Sequence, residues 1–567
     1  MLHSLISIKL VAMAAALGLD TSDWKAPSKE MVDQVQKLEQ ALSNIADTEK
    51  ADQVQKDLNE AYNTIRELAD KGDKDAQFAM GMLSRQSNKQ GAIEQSIKYY
   101  ELAAQQGQLQ AMNDYGFLLA LSGREPEKQK EGVTWIKKAA DAGENSARRN
   151  MAQIYLRGLA GEKVDTAAAK KLLELAAAEK DADASFNLSQ FYSGQGGKEN
   201  VDGEKAWEWL NKAAELGSPN ALDTLGSLLF QGGKIASKEI PADPKAAVAK
   251  FQSLAEKNNP VGLRKMGTIY QDGVGGVTKD FKKAIEHFSR AAQGNDALAQ
   301  FIMANMYNSG VDLDEKDDKI DIQPNAATAL NLYRAAAQNN MSIANFYVGM
   351  FYEAGRTVDR DLEKAFASFQ IAAQSGVPAA MEKVGLYYLN GAGTTKDPVA
   401  AAGWFARAAQ AGLPEGNLAY GRLLEAGAAV TSDKNSPFYA AADAYMQAAD
   451  APNANEQVRM ESLLRLGNLY FRGVMVAKGE EAKPDYERAY IFFRQAVDID
   501  PKNQLAENAR SEVVKKLTQE QIKRADTTIE GMKKDREARR KKAEGSAASN
   551  TPAAAPASGS TPAAENK

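Results

Sequence analysis

His3 and His287, with no cysteine anywhere, are all that 567 residues offer to the commonest catalytic and metal-binding chemistries. A zinc centre draws three or four ligands from Cys, His and carboxylates, and a Ser-His-Asp triad needs a histidine oriented by a carboxylate. Two histidines far apart in the chain point to neither, and without cysteine there is no disulfide or thiolate nucleophile. His287 stands in Ile285-Glu286-His287-Phe288-Ser289-Arg290, in a slot that elsewhere holds Trp209, Trp404 or Ser368. It reads as an interhelical packing position. Of the pair Trp207 and Trp209, Trp209 reads as core and Trp207 as half exposed. Carboxylates are numerous but scattered, and none is marked as an acid–base couple. No Ser-x-x-Lys with a supporting base is present.

Three glycine-rich stretches, Gly196-Gly197-Lys198-Glu199, Gly232-Gly233-Lys234-Ile235 and Gly273-Val274-Gly275-Gly276, resemble phosphate loops only on the surface. A P-loop needs Gly-Lys-Ser/Thr between a strand and a helix, so these read as turns. Asp312, Asp314, Glu315, Asp317, Asp318 and Asp321 crowd one segment. A calcium loop places oxygens at alternate positions and glycine at the sixth. Lys316 takes the third ligand slot and the glycine is missing, so the segment reads as a solvated acidic loop. Lys533 to Lys542 holds seven basic residues and two acidic ones. That cluster suits weak contact with anionic lipid, or a solvated helix end favoured by the helix dipole. No aromatics interleave for base stacking, and the net charge of the whole chain is only −5, so no nucleic acid is expected.

What must position any functional residue is a repeat. One copy runs Ala380-x-x-x-Val384-Gly385-x-x-Tyr388-x-x-Gly391, then Asp397, then Ala401-x-x-Trp404-Phe405-x-Arg407-Ala408-Ala409-x-x-Gly412. The first small anchor recurs at Ala76, Ala111, Ala147, Ala184, Ala221, Gly262, Ala299, Ala344, Ala380, Gly416 and Ser462. Spacing near 36 with a few longer intervals marks loop insertions that keep the phase. Offsets 0, 4, 5 and 8 share one side of a helix, and glycine at offset 11 ends helix A. The second half is a helix B with paired alanines that let a neighbouring axis come close. One such hairpin cannot bury enough surface to fold alone, so the hairpins must stack.

These residues closely resemble the Sel1-like repeat family, a branch of the tetratricopeptide-type repeats, over about residues 73–500. The hallmarks are Leu-Gly-x-x-Tyr-x-x-Gly, an Asp, and Lys-Ala-x-x-Trp-Tyr-x-Lys-Ala-Ala-x-x-Gly. Ala152, Ser189 and Ala304 depart from the Gly, and Ser84, Leu119, Leu229 and Leu424 from the Tyr. The resemblance implies an all-α fold, a right-handed α/α superhelical solenoid of about eleven two-helix repeats. It also implies a non-enzymatic adaptor whose helices A line a concave groove for a protein or peptide. The groove positions, two, three and six residues after the anchor, hold Asn113, Asp114, Arg149, Asn150, Asn187, Gln190, Asp223, Arg264, Lys265, Asn305, Glu382, Lys383, Arg422, Arg465 and Asn468. Asn can pair with a peptide N–H and C=O together, and Arg can clamp a carboxylate. No cofactor or metal is expected. A β-lactam-binding or hydrolysing role, linked to some secreted relatives, loses support with the missing cysteine framework.

The ends differ from the repeats. Residues 1–25 open apolar, with Leu10 to Leu19 resembling a short signal core and Ala14-Ala15-Ala16 a cleavage site. A retained membrane anchor or a buried helix are the alternatives. Export is the expected location, with an envelope-tethered structural protein as a rival reading and a cytoplasmic one still open. Residues 26–72 read as N-terminal capping helices, 501–544 as a long charged helix, and 545–567 as a disordered Ala/Pro/Ser tail.

Overall fold

The structure, a computed structural model, describes residues 51–85, 91–122, 125–311, 322–428, 437–474 and 483–549, with Lys29, Asp33 and Glu481. The candidate signal segment, the acidic run 312–321 and the last 18 residues lie outside the described residues. The chain divides into two compact units between Asp280 and Phe281.

The first unit carries α1 (Ala51–Asp70), α2 (Lys74–Arg85), α3 (Ala92–Gln105), α4 (Leu109–Ser122), α5 (Pro126–Asp141), α6 (Asn145–Arg157), α7 (Thr166–Ala178), α8 (Ala182–Gln190), α9 (Gly203–Glu215), α10 (Pro219–Gln231), α11 (Pro244–Glu256) and α12 (Pro260–Asp272). The second carries α13 (Phe281–Gln293), α14 (Ala297–Ser309), α15 (Ala326–Gln338), α16 (Ser342–Ala354), α17 (Leu362–Gln374), α18 (Pro378–Asn390), α19 (Pro398–Gln410), α20 (Pro414–Glu425), α21 (Pro437–Asp450), α22 (Glu456–Arg472), α23 (Tyr486–Ile499), α24 (Gln504–Val514) and α25 (Gln519–Ser549). From α2 to α23 the even helices are type A and the odd ones type B. Within each unit, successive helices pack on one another as an all-α solenoid. All eleven anchors are buried.

The repeat's hallmark residues each have a local job. Asp165, Asp202, Asp243, Asp361, Asp397 and Asp485 cap their B helices, accepting backbone N–H groups at 2.8–3.1 Å. The N–H of each capping residue donates back to the offset-8 carbonyl of helix A, as Asp202 does to Tyr192 at 2.9 Å and Asp397 to Tyr388 at 2.8 Å. One residue therefore ties both sides of the A-to-B turn, satisfying orphan groups at two helix ends. The basic residue three positions on reaches back to the cap. Lys205, Lys364 and Arg488 lie 3.1, 2.9 and 3.5 Å from their Asp. The same side chains cover the helix-A rings of Tyr192, Tyr352 and Tyr470 at 5.3, 5.7 and 5.5 Å.

The offset-5 glycine faces a ring from helix B. A β-carbon on Gly81, Gly226, Gly349, Gly385 or Gly421 would stand 2.5–2.7 Å from Tyr100, Phe251, Phe369, Phe405 or Tyr445. In the third and fourth repeats, where Ala152 and Ser189 replace that glycine, the slot holds Leu173 and Leu210, both fully buried. In these two repeats volume gained on one side is given up on the other, while in the seventh Ala304 coexists with a fully buried Tyr333 in the slot.

That slot corrects one expectation. The residues buried at the hairpin centre are Leu210, Phe288, Phe369 and Phe405; Trp209, His287, Ser368 and Trp404 are only partly buried. The slot lies three residues before the paired alanines, on their face, and the preceding residue is turned about 100° away. Trp209 and Trp404 instead carry Lys212 and Arg407 at 4.4 and 4.6 Å from their rings. His287 places Nδ1 2.9 Å from the Lys283 carbonyl.

The three glycine-rich stretches are A-to-B turns. Gly232-Gly233 opens a short antiparallel hairpin, β1 (Gly233–Ile235) with β2 (Lys238–Ile240), which was not expected. A β-carbon on Gly203 at the start of α9 would meet the Lys238 backbone, so the hairpin sits directly against α9. Gly275 packs on the start of α11, where a β-carbon would lie 2.5 Å from Val248 and 2.8 Å from the Pro244 carbonyl.

At the N-terminal end, α1 adds Ala61, Ile65, Leu68 and Ala69 to the core of the first repeats. The first of the two expected capping helices lies outside the described residues, apart from Lys29 and Asp33, both helical. Residues 501–544 hold two helices, α24 and α25, broken at Lys515–Thr518, and α25 continues to Ser549. The helix therefore runs past the expected start of the tail at 545.

Candidate functional site

The fifteen groove positions fall on the A helices of both units, and most are already bonded to neighbouring repeats. In the first unit, Asn150 donates from Nδ2 to Asn113 Oδ1 at 2.8 Å, and Asn113 donates to Asp114 Oδ1 at 3.0 Å. Asn113 is only 4% exposed. Burial pushes Asp114 up to about 6, against the opposing pull of Arg85 and hydrogen bonds from Asn113 and Tyr100. Arg149 pairs with Asp181, the N-cap of α8, and reaches Ser146 Oγ at 3.3 Å.

Further along this unit the row changes character. The side chains of Asn187 and Gln190 on α8 are half-buried and make no hydrogen bond among the described residues. Asp223 on α10 has a buried Oδ1 with no hydrogen-bond donor. Lys265 on α12 donates to Ser227 Oγ at 3.3 Å and lies 5.2 Å over the Phe251 ring. Burial holds the Lys265 ammonium below its ordinary range; Asp223 opposes that shift and the charge of Arg264 adds to it.

The row in the second unit is an ion-pair ladder. Asn305 Oδ1 accepts the Tyr333 hydroxyl at 2.6 Å. Lys383 bonds Glu353 at 2.8 Å, and the Tyr387 hydroxyl donates to the same carboxylate at 3.1 Å. Glu382 is pushed up by burial and by the nearby Glu415. Arg422 pairs with Glu461. Arg465 bridges Glu461 at 2.9 Å and Glu425 at 3.2 Å, and Arg472 reaches Glu425 at 3.3 Å. The Tyr445 hydroxyl donates to Glu425 at 2.9 Å. Burial would raise Glu461, but Arg422 and Arg465 outweigh it and hold its carboxyl low. Asn468 is exposed.

Glu353 and Glu425, nine residues after their anchors, were missed. On a helix, nine residues is about half a turn round, beside offset two at about 200°, so extending the same wheel one step would have found them. The basic cluster on α25 is also largely occupied. Lys533 reaches Asp498 at 3.1 Å, Arg536 reaches Asp450 at 3.0 Å and Gln495 at 3.1 Å, and Lys541 reaches Glu537 at 2.7 Å. Among the described residues no group of three or more His, Asp or Glu is placed to hold a metal ion, and no helix is long and apolar enough to cross a membrane. Open hydrogen-bonding capacity in the row includes the side chains of α8 and the Asp223 Oδ1 of α10.

The Sel1 repeat model matches this chain nine times, at residues 74–108, 109–144, 145–181, 182–218, 260–296, 297–341, 342–377, 378–413 and 461–499, together more than half of its length. The chain is 26% identical over 184 residues to an exopolysaccharide production negative regulator of Rhizobium leguminosarum bv. viciae, covering 31% of this chain and 58% of that protein. It is 25% identical over 224 residues to chitin synthase regulatory factor 2 of Schizosaccharomyces pombe, covering 38% and 42%. The match thus spans about half the length of these curated relatives. A protective antigen of uropathogenic Escherichia coli with an SLR fold superposes with a TM-score of 0.52 at 23% identity, covering 88% of this chain and 99% of that one. This last likeness concerns the fold alone.

Proposed function

Since the chain belongs to the Sel1 repeat family, we propose that it is a non-enzymatic scaffold that holds a protein or peptide partner along the A helices of its repeats. The observation that carries this is the change in the row at α8 and α10. Elsewhere most groove positions are held by side-chain bonds, as in Asn150–Asn113, Lys383–Glu353 and Arg465–Glu425, whereas Asn187 and Gln190 carry no such bond among the described residues and the Oδ1 of Asp223 has no donor. A buried acceptor without a donor is costly, and since the Asp223 Oδ1 is shut off from solvent, a partner's N–H would reach it only once that side chain turned outward. The two amides beside it offer both donor and acceptor. Affinity would build from several modest contacts, offset by the cost of ordering the partner. That both matched relatives are named as regulators fits an adaptor that acts through another protein. In our reading the apolar residues 1–25 direct the chain to export or to the envelope.

The test is a pull-down from extract of the native source, with mass spectrometry, comparing wild type with Asn187→Ala/Gln190→Ala/Asp223→Ala. Loss of specific partners from the triple variant, with unchanged circular dichroism, supports the site. Equal recovery of every partner removes it.

A further inference from the structure

The last repeat differs from the others in having a third wall. Its A-to-B edge is built as in the other repeats. Tyr470 at offset 8 of α22 accepts the Asp485 N–H at 2.9 Å through its carbonyl and carries Arg488 over its ring. The chain then doubles back so closely over Gly473 that a β-carbon there would strike Lys483 and Pro484. Beyond α23, the turn between α24 and α25 closes on this edge. The result is an open cleft of about 610 Å³, within the range of small-molecule sites.

Its walls are fixed before any ligand arrives. The Lys483 N–H donates to the Gly473 carbonyl at 3.1 Å. Lys516 sits in a tight turn, its N–H on the Val513 carbonyl at 2.9 Å. That turn is locked by a reciprocal capping box: the Thr518 N–H donates to Gln521 Oε1 at 2.9 Å, and the Gln521 N–H to Thr518 Oγ1 at 3.3 Å.

The charges around it are unevenly spent. Glu487 is paired with Arg524 at 3.0 Å, Asp485 caps α23, and Arg488 is paired with Asp485. Lys483 and Lys516 are both exposed and form no ion pair among the described residues, although the Lys516 charge is felt by Glu512 one turn earlier. Tyr439, 41% exposed, and Tyr486 line the cleft with their rings, while the Tyr470 ring is covered by Arg488 and stacked on Phe492 at 5.6 Å.

We propose that this cleft binds a small organic anion bearing a flat ring, with the ring against the tyrosines and its phosphate or carboxylate at Lys483 and Lys516. This does not depend on the helix-A scaffold reading. Calorimetric titration of the full chain with AMP, phenyl phosphate, benzoate and inorganic phosphate tests it, the first two against benzoate separating phosphate from carboxylate. The expected result is saturable binding of a ring-bearing anion with Kd below about 1 mM, at least tenfold tighter than inorganic phosphate. Lys483→Ala/Lys516→Ala and Tyr439→Ala should each weaken it at least tenfold. The variants change exposed side chains, so the fold should hold, and far-UV circular dichroism checks that. No ring-bearing anion binding below about 5 mM, inorganic phosphate binding equally well, or undiminished binding by the double variant would each overturn the assignment.

Discussion

The ring of Phe405 fills the space that a side chain at Gly385 would need: a β-carbon there would stand 2.7 Å from Cε1 of the ring. The same relationship joins Gly349 to Phe369 and Gly421 to Tyr445. The repeat thus keeps glycine in mid-helix, against helix propensity, because the approach of helix B leaves no room for more.

Gly385→Ala should therefore destabilise the protein, although alanine is the better helix former by about 0.5–1 kcal/mol. Overpacking a tight core costs about 1–3 kcal/mol and should win. Adding Phe405→Leu should recover most of the loss, since the third and fourth repeats pair Ala152 and Ser189 with leucine in the same slot. Gly403, on the same hairpin, would bring its β-carbon within 4 Å of nothing, so Gly403→Ala should stabilise. Thermal melts of the four chains check the signs.

Lys180 holds a left-handed backbone, φ 63°, at the position where other B helices end on Gly143, Gly217 or Gly376. An L side chain there costs about 1–2 kcal/mol. Lys180→Gly should raise the melting temperature. The comparable Asn258, Asn295 and Asn340 tolerate the conformation better, so Asn258→Gly should gain less.

Asp361 caps α17, and the backbone N–H and side chain of Lys364 hold its carboxyl below the ordinary range. A carboxylate with a lowered folded value stabilises above its unfolded pKa and loses that contribution as pH falls through the folded one. Asn325 performs the same cap on α15 without a charge. Asp361→Asn should keep the cap and flatten the fall in stability below about pH 4, read from melts between about pH 3 and pH 6.

Asp114 has the opposite sign. Its folded value is raised to about 6 from an ordinary 3.8, so the folded state holds the proton more tightly and stability falls as pH rises from about 4 to 6. Asp114→Asn should remove that decline and melt higher than wild type at pH 7.5, while the two converge below about pH 4. Parallel pH dependence of the two chains would show that Asp114 does not titrate there.

The helical repeat was legible because its physics is local and repeated. Anchors such as Ala380 and turn glycines such as Gly391 recur in phase, and the buried face follows from 3.6-residue periodicity. What could not be read was pairing between repeats. The Asn150–Asn113 bond and the Lys383–Glu353 pair join residues 30 or more positions apart, and nothing local distinguishes them from solvated polar groups like Asn187. The hairpin at Gly233–Ile240 was hidden for a related reason, since its stability comes from docking on α9 more than from its own propensity.

The charged C-terminal helix shows how far composition misleads. The sequence of α25 reads as a long charged helix with a solvated end, but Ala525 and Ile529 are buried against the last repeats at 0% and 2% exposure, and the Tyr490 hydroxyl donates to Asp526 at 3.0 Å. It covers the greasy end that a further hairpin would otherwise cover. Ile529→Ala should cost about 2–4 kcal/mol, and hydrogen exchange should place that loss in α23 and α25, leaving the first unit protected as in wild type. Arg536→Ala should cost less in water and weaken the salt dependence of the contact, since the pair with Asp450 is lost while the Lys533–Asp498 and Arg524–Glu487 pairs and the apolar face stay. Equal exchange in wild type and Ile529→Ala would mean that α25 covers nothing.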